Sequence, residues 1–584
     1  MRILLATLNS KYVHTNLALR YLKVCLEEYT QNCETFLKEY TINDNTLSIL
    51  ASIYKTEADI YAFSCYIWNI EQTLEICANL KKIKPESIIV LGGPEVSYES
   101  IKIMKENSFI DYIISGEGEK SLPKLICALS DNALDINSIE GLTFRNSAGD
   151  IRVNNPHLIE DLSEIPSPFN DDLSCYKDKV AYYESSRGCP YNCSYCLSST
   201  IKGVRYFPID RVKSDLKKLI DAGAKQVKFV DRTFNCLKEK ALEIWKYITE
   251  NNKDTIFHFE IAAHLIDDEV LDFLSKVPEG MFEFEIGVQT TNKEALCEVG
   301  RKTDFDKIKE TVTTLRTKNN IHIHLDLIAG LPYENYKSFE KSFNDVYFLN
   351  SHMLQLGFLK LLKGSRIRDE YEKHGYKFTA KPPYEVLENR YISYQEIIKL
   401  KRIEEMLEIY KNSGRYENAF NYLNRIYTSP FTLFQDLSDY WYKRNMQTRR
   451  ISQEENYDIL FEFYENIIQE DIDEFKEILK IDFVMNNFGL RRCLWQEKYL
   501  FKDMKNAVRN ILNNQEFVIE YCPELIESGI SERFKKVNFE IVKIKGDYNL
   551  LMLEKSFDSR GNTKLRHEFI DKKYYHKEEI IISK

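Results

Sequence analysis

No run of apolar residues in this chain of 584 approaches the length a membrane span needs, so a transmembrane helix is excluded and no membrane partner is expected. Blocks of Lys and Arg are missing as well. Short clusters such as Lys399 to Arg402 read as a solvated helix face, and with a formal charge of −10 nothing points to nucleic acid. Repeats and low-complexity tracts are absent, which removes solenoids and disordered arrays. No secretory signal is expected, and the 13 cysteines are odd in number and scattered, which argues against a disulfide framework. The expectation is a reduced, cytoplasmic protein. What is present, 43% hydrophobic and 13% aromatic residues, is the composition of a folded globular chain long enough for several domains.

Three of the cysteines break the scatter. Cys189, Cys193 and Cys196 stand in the run Glu-Ser-Ser-Arg-Gly-Cys-Pro-Tyr-Asn-Cys-Ser-Tyr-Cys, just after an extended apolar segment. Three thiolates can hold three irons of a cubane cluster and leave the fourth iron open to chelation by an amine and a carboxylate. A structural zinc site normally takes four ligands in two close pairs. Here the nearest further cysteines are Cys175 and Cys236, so the spacing favours iron and sulfur, with zinc and chance placement as the competing readings.

With Arg187-Gly188 before the first cysteine and Tyr195 before the last, the segment resembles the signature of the radical S-adenosylmethionine enzymes. The resemblance implies that Cys189, Cys193 and Cys196 bind a [4Fe-4S] cluster whose open iron takes the methionine part of S-adenosylmethionine. It implies that one electron, from a donor of the flavodoxin or ferredoxin type, cleaves a carbon–sulfur bond to give a 5′-deoxyadenosyl radical. It also implies an adenine contact for Tyr195.

Residues 1 to about 130 alternate apolar runs, expected as strands at 2–8, 35–40, 59–64, 87–91 and 111–114, with helical patterns from about 15 and at 46–56, 70–83, 99–106 and 121–129. Five such units predict a doubly wound parallel sheet, which binds ligands outside the carboxyl ends of its strands. Ser64-Cys65-Tyr66, Gly92-Gly93-Pro94-Glu95 and Gly116-Glu117-Gly118-Glu119 sit at those ends. Each is also an ordinary turn sequence. Glycines there let backbone approach a large flat ligand, and the arrangement resembles the cobalamin-binding domain of one branch of the radical enzymes. That resemblance implies that Ser64, Gly92, Gly93, Gly116 and Gly118 line a corrin site. The chain departs from other cobalamin proteins in having no Asp-x-His-x-x-Gly motif, and His14 is in the wrong context to replace it. The departure fits a cobalt without a lower His and fits equally a sheet that has lost its cofactor.

A hairpin is expected at 141–145 and 151–154, then a proline-punctuated connection at 159–170. Strands are expected at 181–186, 226–230, 255–261, 281–288, 322–328 and 353–358, predicting a partial (β/α)6 barrel with its site at the carboxyl ends. Asp231-Arg232, Glu260, Gln289, Asp326 and Arg301 lie near those ends. The resemblance implies that Glu260 and Gln289 meet the ribose or amino acid of the cofactor and that Arg301 pairs with its carboxylate; a structural hydrogen bond or helix cap is the alternative for each. His322 and His324 share one strand face and read as barrel interior before they read as metal ligands. His264, close beyond Glu260, is a candidate for a substrate contact.

Past about 370 the alternation stops. A long helix is expected at 385–412, others at 431–444, 452–470 and 472–479, and strands at 517–521, 537–544 and 549–554. This tail resembles the C-terminal domain of unknown function of cobalamin-type radical proteins, and its acidic, aromatic-rich character suits a lid, dock or interface. The expected organisation is therefore 1–135 cobalamin-binding-like, 136–178 hairpin and linker, 179–370 radical barrel and 371–584 helical domain with a small sheet. The activity expected by resemblance is methyl transfer to an unactivated carbon of an unknown substrate, with rearrangement or ring formation behind it. A methylthiotransferase would want a second cysteine set and a basic tail, neither of which is evident, and a redox sensor would not need the open iron.

Overall fold

The structure, a computed structural model, describes every residue except 31–32, 132–133, 488–492, 494, 558–562 and 584. It divides into two compact units, 1–351 with 355–397 and 352–354 with 398–584.

The first unit begins with a parallel sheet of β1 (Arg2–Asn9), β2 (Glu34–Thr41), β3 (Ile60–Ser64), β4 (Ile88–Gly92) and β5 (Tyr112–Ile114), ordered β2-β1-β3-β4-β5. Alternate side chains separate into two cores. Ile3, Leu5, Ile60, Ala62 and Val90 pack with helices Leu17–Tyr29 and Gly118–Asp131, whereas Leu4, Leu8, Tyr61, Phe63 and Leu91 pack with Thr46–Tyr54, Ile70–Ile83 and Ser100–Glu106. Burial on both faces is why these strands read as continuous apolar runs. The chain leaves β1 for β2 and leaves β3 for β4, in opposite directions along the sheet, so a crevice opens at the carboxyl ends of β1 and β3. The hairpin β6 (Leu142–Arg145) and β7 (Ile151–Val153) does not stand apart: it adds two antiparallel strands beside β5 and makes the sheet seven-stranded.

A second parallel sheet follows, ordered β15-β14-β13-β12-β11-β8, from β8 (Ala181–Tyr183), β11 (Gln226–Phe229), β12 (Ile256–Glu260), β13 (Phe282–Gln289), β14 (His322–Ala329) and β15 (Met353–Phe358). The expected strand 181–186 is broken. The buried Asp231 carboxylate accepts from the Ser185 N–H at 2.9 Å and from the Ser185 and Ser186 hydroxyls at 2.7 and 2.5 Å. The chain turns there into a separate antiparallel hairpin, β9 (Ser186–Cys189) with β10 (Gly203–Tyr206).

Period two sorts the barrel strands. Phe282, Phe284, Ile286 and Val288 are buried, and Phe229, Phe259, Phe284 and Trp245 form an aromatic layer beneath the helices. The alternate positions make a polar interior: Lys228 and His258 contact Glu285 at 3.3 and 3.2 Å, and His324 contacts Asp326 at 3.1 Å. His324 thus serves the barrel interior, and among the described residues no metal-sized ligand group includes it or His322.

The helix expected over 385–412 starts later. Val386 donates to the Leu359 carbonyl at 2.9 Å, and β16 (Lys377–Phe378) pairs with β17 (Val386–Glu388), so the helix runs Tyr394–Met406 and continues as a π-helical stretch, Leu407–Asn412. In the second unit, helices Glu417–Ile426, Pro430–Lys443, Gln453–Phe463 and Ile472–Asn486 precede an antiparallel sheet. Its order is β21-β20-β19-β18-β22, built from β18 (Lys498–Phe501), β19 (Val537–Ile544), β20 (Asp547–Phe557), β21 (Thr563–Phe569) and β22 (Ile580–Ser583). The expected strand at 517–521 is instead a helix, Gln515–Tyr521. The Asn514 side chain accepts from the Glu516 and Phe517 N–H groups and caps it, and Phe517, Val518 and Tyr521 turn to one buried face.

Candidate functional site

Cys189 ends β9, and the loop after it is tied to the barrel rather than left loose. Ser194 donates to the Val299 carbonyl at 2.8 Å, Ile367 donates to the Ser194 carbonyl at 3.0 Å, and Tyr191 Oη lies 2.9 Å from His264 Nε2. Cys189 Sγ is 3.5 Å from Thr233 Oγ1. Arg301 reaches in from the far side: Nη1 lies 3.8 Å from Cys193 Sγ and 3.4 Å from Tyr195 Oη, while Nη2 donates to the Gly287 carbonyl. Burial pushes the Cys193 thiol above its ordinary range, and the Arg301 guanidinium works against that shift.

The placing of the three cysteines bears on which metal they suit. Zinc–sulfur bonds of about 2.3 Å bring tetrahedral ligands within roughly 4 Å of one another. Among the described residues, no three ligand atoms that include any of these sulfurs lie within 4.8 Å of each other. Yet all three line one cavity of about 180 Å³. That arrangement leaves room between the cysteines for a multi-iron cluster, which spreads its thiolates.

The same cavity brings in Tyr195, Glu260, Gln289 and Arg301. Gln289 follows an irregularity in the pairing of β13 with β14 and takes φ 71°, a left-handed conformation that is costly for a side-chain-bearing residue. Its Oε1 is buried without a hydrogen-bond partner among the described residues, an acceptor held ready for a donor. Gly287 makes the room: a Cβ there would lie 2.2 Å from Gln289 Nε2 and 3.2 Å from Arg301 Nη2. Burial raises Glu260 from its ordinary 4.5 to about 7, with Arg232, 3.6 Å away, opposing the rise.

Ser64, Gly92, Gly93, Gly116 and Gly118 meet around a second cavity, of about 240 Å³, at the switch point of the first sheet. Its wall is apolar, from Leu19, Leu22, Val90 and Ile114, and its polar edge carries Glu117, Glu119 and Arg187. An apolar slot with glycine backbone at its mouth and charged groups at its edge leaves room for a large flat ligand with polar substituents. Gly93 cannot be replaced cheaply, since it has φ 100° and a Cβ there would sit 2.5 Å from the Cys65 carbonyl oxygen. His14 does not line this slot. It lines a third cavity, of about 430 Å³, with its Nδ1 2.8 Å from Tyr182 Oη. Arg187 and Tyr66 border both the slot and the third cavity, and Arg232 borders both the third cavity and the thiol cavity.

Several residues of these cavities carry no local sequence signal. Tyr191 and Thr233 act through partners remote in sequence or through a single hydroxyl. Trp68, stacked on Tyr66 with ring centroids 4.5 Å apart, lies at the third cavity and looks like an ordinary aromatic in the chain.

Three family models match: the B12 binding domain over residues 3–126, the radical SAM superfamily over 183–346, and a protein of unknown function, DUF4080, over 372–559. A 2-(S-pantetheinyl)-carbapenam-3-carboxylate methyltransferase of Streptantibioticus cattleyicolor is 23% identical, over 51% of this chain and 46% of its own length. An anaerobic magnesium-protoporphyrin IX monomethyl ester cyclase of Synechocystis is 30% identical, over 41% of this chain and 49% of its own. The chain thus spans about half the length of these curated relatives. The solved structure of OxsB, a cobalamin-dependent S-adenosylmethionine radical enzyme with aqua-cobalamin and S-adenosylmethionine bound, is similar in fold. Its TM-score is 0.59 at 14% identity, over 84% of each chain.

Proposed function

We propose, on the premise that this is a radical SAM superfamily protein with an N-terminal B12 binding domain and a C-terminal DUF4080 domain, that it reductively cleaves S-adenosylmethionine and methylates an unactivated carbon of its substrate. When bound, a [4Fe-4S] cluster supplies the electron, S-adenosylmethionine the radical-forming adenosyl group and cobalamin the methyl carrier. The chain's own residues hold and orient. Cys189, Cys193 and Cys196 are the cluster ligands, and they leave one iron free of protein. Arg301, buried beside Cys193, offers a guanidinium fork to a carboxylate. Gln289 and Glu260 offer acceptors to ribose hydroxyls or an ammonium, and Tyr195 offers its ring to the adenine. Ser64, Gly92, Gly93, Gly116 and Gly118 line the cobalamin slot.

The observation that carries this reading is that one cavity at the carboxyl ends of the barrel strands joins the three cysteines to Gln289, Glu260 and Arg301, and that the third cavity, bordered by Arg187 and Arg232, lies between it and the slot of the first sheet. A sensor that used the cluster alone has no use for that extension. Ring formation is the second reading, supported by the resemblance to the cyclase. The matched spans, 3–126, 183–346 and 372–559, support three modules corresponding to the expected 1–135, 179–370 and 371–584, while the hairpin within 136–178 extends the first sheet and residues 355–397 stay with the first compact unit. None of the 13 cysteines is in a disulfide, which supports a reducing, cytoplasmic setting; the electron donor proposed is of the flavodoxin or ferredoxin type.

Anaerobically reconstituted protein given dithionite is expected to convert S-adenosylmethionine to 5′-deoxyadenosine and methionine. The variant with Cys189, Cys193 and Cys196 all changed to Ala is expected not to. Cleavage that survives in the variant removes the thiols from the reaction.

A further inference from the structure

The cluster hairpin and the cobalamin slot share a buried knot of charge. Arg187, on β9 two residues before Cys189, donates to Glu184 at 2.7 Å and to Glu119, and its Nη1 lies 3.3 Å from Glu117. On β10, Arg205 lies opposite Arg187 in the pairing register and clasps both oxygens of Glu117, at 2.9 and 2.7 Å. All five side chains keep 13% or less of their surface exposed. The Arg187 guanidinium also stands over the rings of Tyr21 and Phe207, 5.4 and 5.7 Å from their centroids. Against burial, which raises it, Arg205 and Arg187 hold the Glu117 carboxyl below its ordinary value.

Glu117 and Glu119 belong to the segment whose Gly116 and Gly118 line the slot, and Arg187 itself borders it. Both strands of the hairpin that presents Cys189 are therefore fastened to the slot's own wall. Three carboxylates face these two guanidinia; the Ile159 N–H also donates to Glu117, at 2.7 Å, and Arg211 stands over the same Phe207 ring, 4.4 Å from its centroid. Carboxylates that border the slot are acceptors for any further N–H donors a ligand brings to its rim. Cobalamin carries such donors as peripheral amides.

We infer that Arg187 is a positioning residue that couples occupancy of the cobalamin slot to assembly of the cluster on Cys189, Cys193 and Cys196, through Glu117, Glu119 and Arg205. The inference rests on the proposed reading of both sites. A ligand that orders the Gly116–Glu119 segment also fixes the two arginines, and with them the hairpin. By linkage the effect runs equally in both directions.

The test is an absorbance titration with hydroxocobalamin of reconstituted protein and of the triple Cys→Ala protein, each with and without Arg187→Met. With Arg187 in place, the cluster is expected to tighten cobalamin binding at least about fivefold. With Arg187→Met the two affinities are expected to agree within about twofold. Arg187→Lys, which keeps the charge but lacks the fork, is expected to behave as Arg187→Met does. A second readout follows iron loss to a chelator, which cobalamin slows in the wild type and does not slow in the variant. If circular dichroism shows that Arg187→Met does not fold, Glu117→Gln decides by the same two readouts. Wild-type coupling preserved in a folded variant overturns the inference, as does wild-type protein that binds cobalamin equally with and without the cluster. Wild-type protein that binds no cobalamin at all speaks instead against the reading of the slot.

Discussion

Gly287→Ala separates the holding of iron from the holding of S-adenosylmethionine. Gly287 lies outside the left-handed region, so its backbone accepts alanine, and the cost falls on what the new methyl meets. That methyl would lie 2.2 Å from Gln289 Nε2, 3.3 Å from Gln289 Cδ and 3.2 Å from Arg301 Nη2. Ordinary carbon contacts begin near 3.5 Å, so the Gln289 amide must withdraw by about 1 Å, and Arg301 must give a few tenths. Misplacement of a positioning group by about 1 Å costs on the order of 100-fold. None of the displaced atoms belongs to a cysteine. The variant is therefore expected to load iron as the wild type does, to bind S-adenosylmethionine roughly 10- to 100-fold more weakly, and to form 5′-deoxyadenosine correspondingly slowly at fixed concentration. Iron analysis, equilibrium dialysis with S-adenosylmethionine and product chromatography read the three quantities. Gly529→Ala, where a methyl meets nothing within 4 Å, is the control. Wild-type affinity in Gly287→Ala refutes the placing of Gln289 and Arg301 on S-adenosylmethionine.

Gly93→Ala combines φ 100° with a Cβ 2.5 Å from a backbone oxygen. It should cost about 1–3 kcal/mol locally and weaken hydroxocobalamin binding about tenfold, with iron content unchanged; dialysis against hydroxocobalamin checks it. Glu260 should govern part of the pH dependence of stability. Its folded-state pKa is raised from 4.5 to about 7, chiefly by burial, so the folded state retains a proton that the unfolded chain releases. The resulting stabilisation is full below pH 4.5 and is lost as pH rises through 7, amounting to roughly 3 kcal/mol. Thermal melts between pH 5 and 8 should fall less steeply for Glu260→Gln than for the wild type, and parallel slopes would remove Glu260 from that dependence.

The features legible in the sequence are those made by neighbours in the chain. The two-faced burial of β1 and β3 appears as unbroken apolar runs, and the glycines at the ends of β4 and β5 mark the slot because they follow those runs directly. The cysteine triplet marks the cluster loop for the same reason. What was not legible depends on partners remote in sequence. Phe517 to Tyr521 reads as a strand from its aromatic and β-branched run, but the Asn514 cap and a buried face make it a helix. The break at 184–185 depends on Asp231, and the start of the helix at Tyr394 depends on Val386 joining Leu359. In the cavity, Gln289 and Arg301 were findable as polar residues just past a strand. The need for glycine at 287 was not, because it arises only when those two side chains fold back over it.

The central claim is an iron held by no protein sulfur and free to take S-adenosylmethionine. Mössbauer spectroscopy of protein reconstituted with ⁵⁷Fe, before and after S-adenosylmethionine, measures it directly. One iron in four should change its isomer shift when S-adenosylmethionine is added while the other three keep theirs. Four irons that stay unchanged, or metal analysis that finds zinc in place of iron, would contradict the account.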